Sequence, residues 1–161
     1  SPYILDPVMV STTGAPLLDG DAVDAIRDRL CPLAELVTPN ADEARMLTGI
    51  TARDVESMTE CARRLAGFGA AAVLVKGGHL AGAETTDVLF DGTDVTVFRH
   101  TRIDTPHTHG TGCTLSAAIA AHRALGVALH DAVSRSLDYV HRAIATAPGL
   151  GSGNGPLNHS A

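Results

Sequence analysis

The sequence predicts an α/β fold with a mainly parallel sheet and helices on both of its faces. Short apolar segments alternate along the chain with longer segments in which apolar residues recur at helical spacing. One short segment, from Ala70 to Val75, is apolar throughout, as in a parallel strand that is covered on both faces. The 161 residues, with no evident linker or repeat, have the length of one ordinary domain.

The first half of the chain predicts two strands and three helices. Each strand is a short apolar run that ends beside a proline, at Asp6-Pro7 and at Thr38-Pro39. The helices begin behind polar capping residues, and glycines follow the second and the third. The predicted elements are a strand at 3–5, a helix at 21–30, a strand at 36–37, a helix from the cap Asn40 through Thr48, and a helix from Asp54 to Gly67.

The second half predicts one more strand, a hairpin and two helices. The apolar segment 70–75 ends at the turn Lys76-Gly77-Gly78, and residues 87–90 and 95–99 flank Asp91-Gly92, a hairpin signal at a sheet edge. The tail from Pro148 is rich in glycine and is expected to be irregular. The apolar faces of the two helices consist of Leu115, Ala118, Ile119 and Leu125 in one and of Val133, Leu137, Val140 and Ile144 in the other.

The composition excludes several classes of partner. The formal net charge is −6 and the pI is about 5.7, so neither nucleic acid nor an anionic membrane surface is expected to bind. Aromatic residues make up 3% of the chain, which leaves few platforms for base stacking. No apolar stretch reaches the roughly 18 residues of a membrane span, and no signal-peptide pattern is present. An anionic ligand must therefore be held by local groups.

The cysteines predict a reducing compartment. Cys31, Cys61 and Cys113 are odd in number and lack C-x-x-C spacing, so neither a disulfide framework nor a zinc site is indicated. We expect a cytoplasmic protein in which Cys31 and Cys61 are small buried apolar residues. Cys113 differs because it falls in the first turn of a predicted helix, where the helix dipole favours a thiolate that could act as a base or nucleophile.

The segment His109-Gly110-Thr111-Gly112-Cys113-Thr114 passes from a loop directly into that helix. Glycines allow close approach of a ligand to the backbone, and free N–H groups at a helix start can bind an oxyanion or a phosphate. No Lys-Ser/Thr pair follows the second glycine, so the segment is not a P-loop. A glycine-rich helix cap explains the segment equally well.

Three further segments lie directly after predicted strands. In parallel sheets, ligands bind beyond the carboxyl ends of the strands. Lys76 is the only lysine among 12 basic residues, and its compact ammonium suits a polyphosphate, although a strand-end lysine commonly extends into solvent. Asn40 and Glu43 have the spacing of a capping box. The functional alternative places Glu43 beside Mg²⁺, with Asp6 sharing that role.

These motifs together resemble one family. Asp6-Pro7-Val8-Met9, Thr38-Pro39-Asn40-x-x-Glu43, Val75-Lys76-Gly77-Gly78-His79, the segment 109–114 and Gly153-x-Gly155-Pro156-x-Asn158-His159 occur in this order. With them the chain resembles, over essentially its whole length, the hydroxymethylpyrimidine/phosphomethylpyrimidine kinases of thiamin biosynthesis. Most enzymes of that ribokinase-like superfamily have aspartate where this chain has Cys113, which indicates the pyrimidine branch. Pyridoxal kinases are the nearest alternative.

The resemblance implies a three-layer αβα fold and ATP-dependent phosphorylation of 4-amino-5-hydroxymethyl-2-methylpyrimidine and then of its monophosphate. Cys113 then accepts the hydroxyl proton, and the amides of Gly110, Thr111, Gly112 and Cys113 hold the transferring phosphoryl group. A homodimer is also implied. The resemblance further implies that Lys76, Thr38 and Asn40 contact ATP. It implies that Asp6 and Glu43 organise Mg²⁺ and that Val8 lines the pyrimidine pocket.

The resemblance also predicts what this chain lacks. Family members have a glycine-rich N-terminal part that nothing here matches, so residues 1–161 are expected to be the C-terminal portion of a single kinase domain, with little activity alone. One alternative is a non-catalytic nucleotide-binding remnant. Another is a hydrolase that pairs Cys113 with His107 or His109, for which no orienting carboxylate or carboxamide is identifiable.

Overall fold

The computed structural model describes residues 2–10, 17–78, 82–151 and 153–161. His79, part of the lysine-glycine-glycine-histidine motif, lies outside the described residues. The chain divides into two compact units. One, the sheet unit, comprises residues 3–101, and the other, the helical unit, consists mainly of residues 102–161.

The sheet unit contains a mixed sheet of five strands in the order β1-β2-β3-β4-β5. β1 pairs with β2 and β2 with β3 in parallel, whereas β3, β4 and β5 pair antiparallel. The predicted hairpin is present at the sheet edge, and both of its strands extend beyond the predicted bounds. The strands are β1 (Ile4–Leu5), β2 (Leu36–Val37), β3 (Val73–Lys76), β4 (Glu84–Phe90) and β5 (Val95–Thr101).

Three α-helices belong to the sheet unit: α1 (Gly20–Ala25), α2 (Ala41–Thr48) and α3 (Val55–Ala66). The prediction of one regular helix over 21–30 is wrong, because α geometry ends at Ala25 and continues as a π-helical turn (Ile26–Leu30) and a 3₁₀ turn (Cys31–Leu33). Pro32 has no N–H group to donate to the Asp28 carbonyl, so the α-helical hydrogen-bond pattern cannot continue through this point.

The core of the sheet unit lies between one face of the sheet and the helices. Val73 and Val75 of β3 and Val88 of β4 belong to one apolar cluster with α3, which packs on β3 and β4. Cys31 and Cys61 are fully buried in that cluster, as the sequence predicts. The residues that α3 contributes are Met58, Cys61, Ala62 and Leu65.

The helical unit contains α4 (Thr111–Ala124) and α5 (Leu129–Ala145), which pack against each other. Their predicted apolar faces are largely buried, but Leu125 is 81% exposed because it is the residue that ends α4. The described residues of the glycine-rich tail form no helix or strand, as the sequence predicts, but several contacts hold the tail in place. Leu157 is buried, the Asn158 amide donates to the Ala143 carbonyl at 3.0 Å, and Pro156 forms a bridge with His109.

None of the described helices has the length and hydropathy required to cross a membrane.

Candidate active site

Asp6, Thr38 and Lys76 form a polar cluster at the carboxyl ends of β1, β2 and β3. Lys76 Nζ lies 3.0 Å from Asp6 Oδ1, and each of the two side chains is 14% exposed. Thr38 Oγ1 lies 3.2 Å from the same oxygen, to which it donates a hydrogen bond. The structure therefore brings together three residues that the sequence places after separate strands.

Main-chain hydrogen bonds hold these three strand ends together. The Thr38 amide donates to the Leu5 carbonyl at 2.9 Å, and the Lys76 amide donates to the Pro39 carbonyl at 2.8 Å. Asn40 and Lys76 form a further parallel bridge beyond the end of β2. The position of the Lys76 backbone therefore depends on the loop that follows β2.

Asn40 and Glu43 form the predicted capping box at the start of α2. The Asn40 amide donates to Glu43 Oε2 at 2.7 Å, and the Glu43 amide donates to Asn40 Oδ1 at 2.9 Å. The Glu43 side chain is buried, which raises the pKa of its carboxyl group, while hydrogen bonds from the Asn40 and Met9 amides and the charge of Lys76 act in the opposite direction. Glu43 thus joins the start of α2 to the loop after β1.

The carboxylate oxygens of Asp6 and Glu43 fit a Mg²⁺ ion that is also bound to phosphates. The described residues contain no group of three or more His, Cys, Asp and Glu side chains that could hold a metal alone. Asp6 lies near enough to Glu43 for its charge to disfavour ionisation of the Glu43 carboxyl group. Two carboxylates with water and substrate phosphates are the usual ligands of Mg²⁺.

Asp87 is a buried carboxylate of this region that sequence reasoning did not select. It lies in β4 opposite Lys76 of β3, is 7% exposed, and accepts a hydrogen bond of 3.0 Å from the Gly77 amide. Burial raises the pKa of Asp87, and the hydrogen bond from Gly77 and the charges of His100 and Lys76 partly oppose that rise. In the sequence, the only feature that could have pointed to Asp87 was its acidic side chain within a predicted strand.

The two glycines after Lys76 are expected to respond very differently to substitution. A Cβ atom at Gly77 would lie 2.0 Å from the Thr86 carbonyl oxygen, whereas one at Gly78 would meet no atom of the described residues within 4 Å. We expect Gly77→Ala to lower the free energy of unfolding by about 1–3 kcal/mol. The matched variant Gly78→Ala should change it by less than about 0.5 kcal/mol. Urea unfolding measures both values, and similar losses would contradict this packing.

The helical unit places Gly110 at the start of α4. Gly110 has φ +82°, a left-handed conformation that favours glycine, and α4 begins with the next residue. The Thr111 amide donates to the Thr108 carbonyl at 3.3 Å. Among the described residues no acceptor is found for the amides of Gly112 and Cys113. Two N–H donors at this helix start are thus available to an anion.

Cys113 is the exposed cysteine of the chain. It lines an open groove of about 390 Å³ on the helical unit. The hydroxyl of Tyr139, which also lines this groove, donates to the His159 carbonyl at 2.9 Å. The lining residues are Cys113, Thr114, Ala117, Ala118, Tyr139 and His159.

His107 is one of the two histidines that the hydrolase alternative pairs with Cys113. Nδ1 of His107 is buried and has no hydrogen-bond partner in the part of the chain that the structure describes. The His107 ring lies against the tail, because a Cβ atom at Gly155 would be 2.3 Å from that nitrogen. An imidazole that serves as a base for cysteine needs a group that orients it, so this geometry does not favour the hydrolase alternative.

Exposure predicts selective chemical modification of the three cysteines. With iodoacetamide under native conditions we expect Cys113 to be alkylated at least about 10-fold faster than Cys31 and Cys61, because only its sulfur is accessible. Mass spectrometry of the digested protein measures the three rates. Unfolding in guanidinium should abolish the difference. Equal rates in the native protein would contradict the burial of Cys31 and Cys61.

Val8 is the one predicted substrate residue outside these clusters. It follows Asp6 in a tight turn, with its amide donating to the Asp6 carbonyl at 2.9 Å, and it is 45% exposed. The neighbouring Met9 is fully buried and anchors the same loop in the core.

Comparison with known proteins identifies the family. The family model described as phosphomethylpyrimidine kinase matches residues 1–158. The chain belongs to this family. The resemblance based on the motifs around Asp6, Asn40, Lys76 and Cys113 is therefore confirmed.

Two curated relatives show how much of a longer protein the chain represents. It is 51% identical over 159 residues to the hydroxymethylpyrimidine/phosphomethylpyrimidine kinase of Rhizobium meliloti, covering 97% of this chain and 60% of the relative. It is 50% identical over 156 residues to the thiamine biosynthesis bifunctional protein ThiED of Geobacter sulfurreducens, covering 97% of this chain and 32% of the relative. The chain thus spans less than two thirds of either relative.

A solved structure confirms the predicted α/β kinase fold. The pyridoxal kinase of Staphylococcus aureus in complex with AMP-PCP and pyridoxal superposes with a TM-score of 0.92 at 30% sequence identity. The superposition covers all of this chain and 58% of that one.

Proposed function

We propose that the protein transfers the γ-phosphoryl group of ATP to the hydroxymethyl group of 4-amino-5-hydroxymethyl-2-methylpyrimidine, and then phosphorylates the monophosphate. The Lys76–Asp6–Thr38 cluster carries this proposal, because it presents one largely enclosed ammonium, 14% exposed, at the strand ends of a chain that belongs to the phosphomethylpyrimidine kinase family. The names of the curated relatives support the choice of substrate.

In this proposal the sheet unit neutralises the nucleotide. Lys76 places its ammonium against the phosphates, and Thr38 and Asn40 contribute polar contacts at the same strand ends. Asp6 and Glu43 would hold Mg²⁺, which supplies positive charge to the phosphate oxygens when it is bound. The fixed positions of Lys76 and Asp6 suit a transfer that depends on positioning and electrostatics.

The helical unit carries the transfer step. The amides of Gly110, Thr111, Gly112 and Cys113 are the proposed donors to the transferring phosphoryl group, and those of Gly112 and Cys113 are supported by their lack of another acceptor within the described residues. The Cys113 thiolate takes the proton of the substrate hydroxyl as the hydroxyl oxygen bonds to the γ-phosphorus and ADP leaves. Val8 is proposed to contact the pyrimidine ring.

Pyridoxal is the second candidate substrate. The pyridoxal kinase of Staphylococcus aureus that superposes on this chain was solved with pyridoxal and AMP-PCP. Pyridoxal also carries a hydroxymethyl group on an aromatic nitrogen ring, so the same proton acceptor and phosphate donors would serve both reactions.

We also propose that the protein works in the cytoplasm as a homodimer. The three cysteines form no disulfide, which suits a reducing compartment. The dimer is inferred from the family resemblance, and sedimentation equilibrium would measure the mass in solution.

An assay of ADP release tests the proposed reaction. Purified protein, including any residues that flank these 161 in its gene, is incubated with ATP and Mg²⁺ together with the pyrimidine alcohol, with pyridoxal or with neither. We expect ADP release with the pyrimidine alcohol to exceed both other rates by at least about 10-fold, a difference of roughly 1.4 kcal/mol in transition-state binding. Faster release with pyridoxal would favour the second candidate. Equal release in all three mixtures would refute both kinase proposals.

A further inference from the structure

The buried Asp87 carboxylate is attached to the segment that carries the proposed phosphate-binding lysine. Lys76 is the last residue of β3 and pairs with Asp87 of β4 in the antiparallel register. Two residues in direct register place their side chains on the same face of the sheet. The Asp87 side chain, however, accepts its hydrogen bond from the next residue, Gly77.

The Gly77 peptide is held from two sides. The space where a Cβ atom would lie is taken by the Thr86 carbonyl oxygen, at 2.0 Å. The Gly77 amide donates to Asp87 Oδ1 at 3.0 Å, a bond between residues ten positions apart. Two consecutive residues of β4, Thr86 and Asp87, therefore fix the position of the peptide at which the chain leaves β3.

This restraint acts on the residue whose ammonium the proposed function needs. Lys76 is held on its N-terminal side by the bond from its amide to the Pro39 carbonyl. On its C-terminal side the restraint is the Gly77–Asp87 hydrogen bond. Without that bond, the peptide that follows Lys76 has a buried amide with no acceptor, and the strand end that carries Lys76 loses its restraint on that side.

We propose that Asp87 is a positioning residue for nucleotide binding, which holds the Gly77 peptide so that the Lys76 ammonium faces the phosphates. This inference rests on the proposed function, because it assumes that Lys76 contacts a nucleotide. Asp87 is not proposed to touch the nucleotide or the pyrimidine.

Two substitutions at Asp87 separate the hydrogen bond from the charge. Asp87→Asn retains an oxygen that accepts from the Gly77 amide, whereas Asp87→Ala removes the acceptor. We expect Asp87→Ala to raise the KM for ATP about 10-fold, as for the loss of a buried hydrogen bond, with the KM for the pyrimidine within about 2-fold of its original value. Asp87→Asn should keep the KM for ATP within about 2-fold. If the alanine variant does not fold, Asp87→Ser replaces it, since its side chain is too short to reach the same amide.

Asp91 provides a matched control on the same hairpin. Its carboxylate also accepts hydrogen bonds from main-chain amides, those of Thr93 and Asp94 at 2.9 and 2.8 Å, but in the turn between β4 and β5. Asp91→Ala should lower the free energy of unfolding without changing the KM for ATP. This comparison distinguishes positioning of Lys76 from a general loosening of the hairpin.

The outcomes are distinct from those that test the proposed function. Absence of kinase activity in the unsubstituted protein would refute the proposed function, and titration with a fluorescent ADP analogue would still measure the effect of Asp87→Ala on nucleotide affinity. An affinity and a KM for ATP that stay unchanged in Asp87→Ala would overturn the positioning role. So would an equal rise of KM in the alanine and asparagine variants, because the hydrogen bond would then not be the cause.

Discussion

Replacing Cys113 with alanine is expected to lower kcat for phosphoryl transfer by about 10²- to 10⁴-fold, the usual contribution of a positioned proton acceptor. Cys113 is exposed at the start of α4, so the smaller side chain should leave the helix and its two available amides in place. The Kd for ATP should therefore remain within about 2-fold of its original value, since only an interaction of the transfer step is lost. Stopped-flow or quenched-flow measurement of one turnover gives the rate, and isothermal titration gives the Kd.

Cys61→Ala is the control for that result. Cys61 is fully buried on α3, its thiol donates to the Ile50 carbonyl at 3.6 Å, and it has no proposed role in transfer. We expect this variant to lose about 1 kcal/mol of stability and to retain its kcat. A Cys113→Ala protein that transfers phosphate at the original rate would show that another group accepts the proton.

Replacing Lys76 with methionine is expected to lower kcat/KM for ATP by about 10²- to 10³-fold, the typical loss when one charged or hydrogen-bonding donor is removed from a phosphate site. The same change leaves the Asp6 carboxylate, 14% exposed, with Thr38 but without its cation. We therefore expect the free energy of unfolding to fall by about 1–3 kcal/mol as well. Lys76→Arg should also impair transfer, because a planar guanidinium does not replace the point charge of a compact ammonium.

Two comparisons separate catalysis from stability in this experiment. Asp6→Asn combined with Lys76→Met removes both charges, so the double variant should be more stable than the sum of the single losses indicates. Arg45→Met removes an exposed cation on α2 and should leave kcat/KM unchanged. If Lys76→Met kept its kcat/KM while losing stability, the Lys76–Asp6 pair would be structural and the phosphate contact would have to come from elsewhere.

The sequence predicted those parts of the fold and site that depend on neighbouring residues. The capping box of Asn40 and Glu43, the hairpin around Asp91-Gly92 and the helix that starts after Gly110 are all local patterns. The assembly of Asp6, Thr38 and Lys76 needed one further rule, that the carboxyl ends of parallel strands lie at one edge of a sheet.

The parts that were missed depend on register and packing. Asp87 meets Gly77 only because β3 and β4 pair in one particular register, and that register is not encoded by either segment alone. The described residues of the tail form no helix or strand, as predicted, but the contacts of Leu157 and Asn158 that hold it against its own unit were not predicted. The π-helical turn at 26–30 likewise has no distinctive residue pattern.

Asp6 forms an ion pair with Lys76, so a phosphate that binds the Lys76 ammonium must compete with the Asp6 carboxylate. A ligand with a single, weakly basic negative charge gains little by displacing Asp6, because it exchanges one ion pair for another. A polyphosphate gains more, since it brings several charges and can share a divalent cation with the displaced carboxylate. If Lys76 contacts ATP as proposed, the Lys76–Asp6 pair would favour the binding of nucleoside triphosphates over that of simple anions and would hold the lysine side chain in place between turnovers.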